Sequence, residues 1–258
     1  MHDDRLAVAI RAVSNAGKYL KGRFLKPHTQ LAKKDSTTLL GEDIKSEEIL
    51  ISTIAKAFPS DTFFSEERET FSPSEHVWII DPLCGTYSYL RGVETWSISV
   101  ALRINNVSTL SVIYQPFEDT LFHSQASSGA FMKNKRIQTS KVSRIKDAFV
   151  SLEHAVFTSG KVDTLNLISH IKRVRVGHGS GGELAYVAAG FLDAVIKTDQ
   201  TIEHFAGGRA LIECAGGTFV DFSGNTPPTF LDKDKRIDYI GCANKVLANK
   251  LLDFVAAQ

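Results

Sequence analysis

The stretch HVWIIDPLCGT, residues 76–86, constrains the fold more than any other part of the chain. Val77, Trp78, Ile79 and Ile80 form an unbroken apolar run, which predicts a short buried strand. Pro82 has no N–H to give to a ladder and holds the residue before it extended, so a turn must follow Asp81. That turn points the Leu83 carbonyl inward and closes on Gly85 and Thr86. An acid, a carbonyl and a hydroxyl are thereby gathered at one strand end, a layout suited to a metal ion and a phosphate group. Cys84 stands where a second carboxylate would be most useful.

Elsewhere the pattern alternates between helix and strand. MHDDRLAVAIRAVSNAG begins acidic and predicts an amphipathic helix rather than a signal peptide, with Leu6, Ile10, Val13, Gly17 and Leu20 on one stripe. After the polar KKDSTTLLGEDIK a second helix is expected, with Ile51, Ile54, Ala55 and Phe58 on its apolar face and Pro59 at its end. TFFSEE predicts a further short strand that also delivers acids at its C-terminal end. In WSISVALRI, Trp96, Ile98, Val100 and Leu102 alternate with Ser97, Ser99 and Arg103, and TLSVIYQP follows an Asn-Asn turn as the hairpin partner. FEDTLFHSQASSGAFMKNKRIQTSK continues the hairpins.

Residues 1–140 are therefore expected to form a sheet flanked by helices that carries the metal-site acids. Residues 141–258 form a second α/β half. There VRVGHGSGGELAYVAAGFLDAVIK predicts strand, Gly-rich turn, helix and strand, and IEHFAGGRALIECAGGTFVDF predicts helix, Gly-Gly stop and strand. SGNTPPTFLDKDKR has the composition of a surface loop.

Composition excludes several classes. A chain of 258 residues, 43% hydrophobic, can bury a substantial core. No run of about 18 apolar residues is present to span a membrane. A net charge of +1 argues against a nucleic-acid polymer as partner, so a small molecule is expected. Cys84, Cys214 and Cys242 are too few and too scattered for a disulfide framework, which points to a reducing, cytoplasmic location. There is no Gly-x-Ser-x-Gly elbow for a serine hydrolase, GHGSGG lacks the spacing of a dinucleotide fingerprint, and no Cys-x-x-Cys pair supports redox catalysis.

The acids carry the positive argument. Asp43, Glu66, Glu67 and Asp81 lie at or near the ends of separate elements, and a hard cation such as Mg²⁺ needs oxygen ligands gathered from such separated positions. The Thr86 hydroxyl and the Leu83 carbonyl add two more. VGHGSGGE, with Gly179 and Ser180, supplies backbone N–H groups at a helix N-terminus where an anion can sit, and His178 beside it is either a substrate contact or an incidental loop histidine.

In order and spacing the chain resembles the inositol monophosphatase superfamily of Mg²⁺-dependent, lithium-sensitive phosphatases. FPSDTFFSEE is similar to that family's Pro-…-Gly-Glu-Glu segment, with Ser65 in place of the glycine. WIIDPLCGT resembles its central Trp-x-Ile-Asp-Pro-x-Asp-Gly-Thr motif. GSGGELAYVAAGFLDAVI matches the helix and strand that carry substrate contacts, and HFAGGRALIECAGGTFVDFSG is similar to the closing signature. The resemblance implies a layered αβαβα sandwich, as in inositol monophosphatase and fructose-1,6-bisphosphatase, assembled as a homodimer and acting on a small phosphorylated metabolite. It also implies a first metal site of Glu66, Asp81, the Leu83 carbonyl and Thr86, with Asp43 and Thr86 activating the attacking water. Gly85, Thr86, Gly179 and Ser180 fall at phosphate-contacting positions.

Three positions depart from the pattern. Cys84 and His204 fall where the second metal site has aspartates, so two of its three carboxylates are missing. Three readings stay open: the second site is lost; Cys84, His204 and Asp81 form a softer site for Zn²⁺ or Mn²⁺; or one ion suffices, with Glu203 reaching in beside His204. Lys197 falls where relatives carry a glutamate that contacts sugar hydroxyls, which is expected to favour an anionic substrate. The alternative to an enzyme is a non-catalytic family member that binds a ligand or a partner protein.

Overall fold

The computed structural model describes residues 4–31, 38–67, 74–177, 179–230, 232 and 235–255, and the backbone but not the side chain of Ser180. The chain opens with α1 (Arg5–Arg23), a short antiparallel pair, β1 (Gln30–Leu31) and β2 (Leu39–Leu40), and α2 (Gly41–Ala57). Then come β3 (Thr62–Ser65), β4 (His76–Cys84), the one-turn α3 (Thr86–Leu90), β5 (Ser97–Ile104), β6 (Val107–Gln115), β7 (Thr120–Gln125), β8 (Gly129–Met132) and β9 (Lys135–Ile137). After a 3₁₀ turn the chain forms β10 (Phe149–Leu152), α4 (His154–Thr158), α5 (Thr164–His170) and β11 (Arg173–Val176). It ends with α6 (Ser180–Ala188), β12 (Ala194–Gln200), α7 (Ile202–Cys214), β13 (Thr218–Asp221), β14 (Ile237–Cys242) and α8 (Lys245–Leu252). Among the described residues no helix is long and apolar enough to cross a membrane.

The strands make two main sheets. One has seven strands in sequence order from β3 to β9, parallel only between β3 and β4; the other has five, ordered β11-β10-β12-β14-β13. Helices α1 and α2 cover one face of the larger sheet around Trp78, Ile80, Ile98 and Val100. Helices α6 and α7 lie between the two sheets, where Leu184, Val187, Phe205 and Leu211 meet Ile79 and Ile113 on one side and Val195, Phe219 and Tyr239 on the other. The outer face of the smaller sheet is closed by α5 and α8 through Leu167, Leu247 and Leu251. The layer order is αβαβα, as the resemblance implies.

Sandwiching changes how the patterns read. Ser97 and Ser99 alternate with apolar residues as expected, yet they too are buried, because the face they share lies under α6 and α7 rather than in water. The buried face of α1 is also rotated from the expected stripe: Val8, Ala9, Ala12 and Ala16 join Val13, Gly17 and Leu20, while Leu6 and Ile10 sit at its margin. Small residues let α1 lie close against α2 and β6. On α2, Ile51 and Ile54 are buried as expected, and Ala55 and Phe58 only partly. Its first turns bury Glu42, Asp43 and Ser46 instead: Asp43 and Ser46 face the turn that ends β4, and Glu42 pairs with Arg23 and His28.

Helix α7 is held by its small residues. A Cβ on Gly208 would come within 2.3 Å of Leu184 Cβ in α6, so only glycine permits this helix spacing. The first turn of α7, with His204, is thereby fixed beside the end of β4.

Candidate active site

Asp81 sits where β4 loses its regular pairing with β5; the register shifts between Asp81 and Cys84, as the following proline requires. Its side chain is fully buried and neither oxygen has a hydrogen bond of good geometry among the described residues. Two other side chains converge on it. One oxygen of Glu66, just past β3, one of Asp81 and one ring nitrogen of His204 all lie within 4.8 Å of one another. The His204 Nε2 to Glu66 Oε2 distance is 3.8 Å. A buried carboxylate with no hydrogen bond of good geometry, flanked by two further ligand atoms, is an arrangement that a divalent cation would satisfy.

The hydroxyl next to this cluster is equally constrained. Thr86 Oγ1 lies 3.0 Å from Asp43 Oδ1 and 3.0 Å from the Leu83 carbonyl oxygen, so its single proton can be given to either. Asp43, in the first turn of α2, accepts a hydrogen bond from the Leu40 N–H at 2.8 Å through Oδ2, which fixes the carboxylate plane. Ser46 Oγ donates to the Pro82 carbonyl at 2.7 Å and ties α2 to the same turn.

Burial dominates the electrostatics. It raises Asp81 to about 7, helped by the negative charge of Glu66 and opposed by His204 and Cys84. It raises Asp43 to about 8: the hydrogen bond from Leu40 pulls the other way, and Glu66 and Glu67 push up again. For His204 burial disfavours the charge, but Glu66, then Asp81 and Glu203, outweigh it and lift the imidazole to about 9. Without a cation the cluster therefore holds protons that a cation would displace.

Cys84 and His204 part company. The Cys84 Sγ accepts a hydrogen bond from the Gly181 N–H at 3.2 Å in the first turn of α6, and burial and Asp81 push its thiol well above the ordinary range. It is not one of the three converging ligands. His204 instead faces Glu66. Glu203 does not turn beside His204: its Oε1 accepts from Thr201 Oγ1 at 2.6 Å.

These residues floor a cleft of about 330 Å³, with Gly85 and Gly179 on its wall. Gly179 has φ +87°, and a Cβ there would sit 3.2 Å from the Cys84 carbonyl, so the turn that presents the N-terminus of α6 needs glycine. Ser180 opens that helix, and its side chain, like all of His178, lies outside the described residues.

Lys197 requires a correction. It is fully buried and is not among the residues lining the cleft; its Nζ stands 3.5 Å from Glu153 Oε1 and 3.5 Å from Glu183 Oε2. Desolvation works against its charge, yet Glu153 and Glu183 hold its pKa above the ordinary value. A lysine at a strand end faces solvent only when nothing covers the strand, and here the next layer does. The cleft residue that sequence reasoning missed is Glu153, between β10 and α4, joined on the wall by Gln200, Thr38 and Tyr87.

A family model described as the inositol monophosphatase family matches residues 1–256. The chain belongs to this family. Among curated relatives, the inositol-1-monophosphatase of Mesorhizobium japonicum is 30% identical over 228 residues, 85% of this chain and 86% of that protein. The Nus factor SuhB of Salmonella typhimurium is 29% identical over 85% of each chain. Among solved structures, the Thermotoga maritima IMPase superposes with a TM-score of 0.89 at 24% identity, covering 98% of this chain and 96% of the other, a likeness of fold. Within the family's architecture, β3, β4 and α7 are the elements that bring Glu66, Asp81 and His204 together.

Proposed function

We propose that this chain is a metal-dependent phosphomonoester hydrolase acting on a small phosphorylated metabolite, with altered or reduced activity because Cys84 and His204 stand in place of carboxylates. The observation that carries this reading is the juxtaposition of the Glu66, Asp81 and His204 ligand atoms with a Thr86 hydroxyl shared between Asp43 and the Leu83 carbonyl. Glu66, Asp81 and the Leu83 carbonyl would hold one divalent cation, Mg²⁺ by family resemblance, and Mn²⁺ or Zn²⁺ would suit the added imidazole. Bound there, the ion would supply Lewis-acid stabilisation of charge on the phosphoryl oxygens.

The chain's own residues would do the rest. Thr86 Oγ1, donating its proton to Asp43, presents lone pairs that orient a water and accept its hydrogen bond, and Asp43 takes up the proton as that water attacks phosphorus in line. Gly85 and Gly179 bring backbone close to the phosphate. No covalent enzyme intermediate is required. Family resemblance supports a homodimer, and three scattered cysteines support a reducing, cytoplasmic location.

A second reading is favoured by the separation of Cys84 from His204 and by the similarity to a protein named Nus factor SuhB. It is a protein that keeps the fold and one cation position but acts by binding a ligand or partner. Phosphate release from inositol phosphates, sugar phosphates, histidinol phosphate and 3′-phosphoadenosine nucleotides, with Mg²⁺, Mn²⁺ and Zn²⁺ in turn, separates the two. Turnover by the unmodified chain upholds the hydrolase; silence with all of them, together with turnover by the Cys84→Asp, His204→Asp double variant, upholds the binding protein.

A further inference from the structure

Away from the cleft, the layering buries a cation that has no counter-charge. Arg103 alternates with apolar residues in β5 and by that pattern belongs to a wet face. In the fold it shares the face of Ser97 and Ser99, under α7, and is only 7% exposed. Its Nε has no hydrogen-bond partner, and no carboxylate pairs with its guanidinium among the described residues. A break in the ladder aims it there. Leu102 pairs with Leu110 but Arg103 with Ser108, so β6 carries one extra residue, and such a bulge redirects a side chain.

Arg103 lines a pocket of about 10 Å³ together with Arg209 of α7, Ser108 and Thr229. Arg209, itself 5% exposed, gives its Nε–H to Glu213 and one terminal N–H to the Pro228 carbonyl, each at 2.8 Å. Among the described residues no acid lines the pocket, so two guanidinium groups share one carboxylate, and that carboxylate is spent on Arg209. The Phe230 ring lies 4.4 Å from the guanidinium carbon of Arg103 and covers its face. A guanidinium hydrogen-bonds through its edge, so the ring leaves the N–H groups unused. A desolvated charge without a partner is costly, and the low local dielectric that makes it so also strengthens its attraction for an anion. The pocket has room for about one water-sized particle, which admits a monatomic anion and shuts out phosphate. Water would satisfy the N–H groups but not the charge.

We propose that this pocket is a halide site, taking chloride, with Arg103 as its principal ligand and Arg209 in support. Ile202, Phe205 and Ala206 wall the same pocket, so the ion would brace the first turns of α7. The site is independent of whether the chain hydrolyses phosphate.

The test is thermal unfolding of the full-length chain at constant ionic strength, with chloride replacing gluconate. Tm should rise saturably by about 3 °C or more, the shift expected once chloride reaches about ten times its dissociation constant. Arg103→Met keeps an apolar stem of similar reach and removes the donors, so its Tm should be the same in both salts. If that variant folds poorly, crystals of the unmodified protein soaked in bromide decide the matter, with an anomalous peak expected beside the Arg103 guanidinium. Equal Tm in chloride and gluconate for the unmodified chain, a chloride effect that survives Arg103→Met, or bromide peaks only elsewhere would each overturn the proposal. A guanidinium present only to clamp Phe230 would give Arg103→Met the same Tm loss in either salt, which also overturns it. Neither readout uses phosphate release, so failure of the hydrolase reading would leave this inference standing, and the reverse.

Discussion

His204 Nε2 stands 3.8 Å from Glu66 Oε2, so an imidazole flanks the same carboxylate that would ligate a cation. Proton and metal therefore compete for one cluster, and four consequences can be measured.

Cation binding should strengthen with pH. Asp81 at about 7, Asp43 at about 8 and His204 at about 9 are all raised above their ordinary values. A raised group contributes stability that is complete below its unfolded pKa and is lost as pH rises through its folded pKa. The metal-free protein should thus lose thermal stability between about pH 4 and 9. Added Mg²⁺ should raise Tm more at pH 9 than at pH 6, and a Tm increment that shrinks over that range would contradict the competition.

Restoring carboxylates should restore a second ion. With His204→Asp and Cys84→Asp together, Mg²⁺ affinity and turnover should both rise. If the missing ion is worth about 3–5 kcal/mol at the transition state, the gain in kcat is roughly 10²- to 10⁴-fold. His204→Asp alone should also remove the highest-pH step from the Mg²⁺ titration.

Thr86 should be needed as a hydroxyl and not as a shape. Thr86→Val leaves Asp43 Oδ1 buried without its donor, which costs about 1–3 kcal/mol of stability, and should lower kcat by about 10²- to 10⁴-fold. Thr86→Ser keeps the donor and should retain most activity. Steady-state kinetics and urea unfolding on the pair would show whether the two effects travel together.

Gly208→Ala should act at a distance. The added methyl meets Leu184 at 2.3 Å, so α7 must move off α6 at a cost of about 1–3 kcal/mol. Because the same helix carries His204, the Tm loss should be accompanied by weaker Mg²⁺ binding, whereas a substitution at the exposed Val246 of α8 should change neither.

The parts of this fold that were legible in the sequence are those whose signals are local. The strand into Asp81-Pro82, the Asn105-Asn106 hairpin and the Gly-rich turn before α6 each carry their cause within a few residues, and both asparagines of the hairpin take positive φ. Layering was not local, so the serine face of β5 and the surroundings of Lys197 had to wait for the three-dimensional arrangement. Glu153 gave no sign at all. Its partner Gln200 lies 47 residues on, and in the sequence a glutamate before a short helix is indistinguishable from a surface acid. Cys84 stands out in the sequence as a departure from the motif, yet which way its sulfur faces depends on Gly181, 97 residues away.

Helix α7 places a replaceable position and an irreplaceable one within a single turn. His204 leaves part of its side chain open to the cleft, so aspartate, histidine or another polar residue can be tried there without disturbing the layers. Four residues on, Gly208 tolerates nothing larger. Polar substitutions at the mouth of this helix therefore leave the packing beneath it undisturbed, whereas a side chain added one turn further in must push two layers apart.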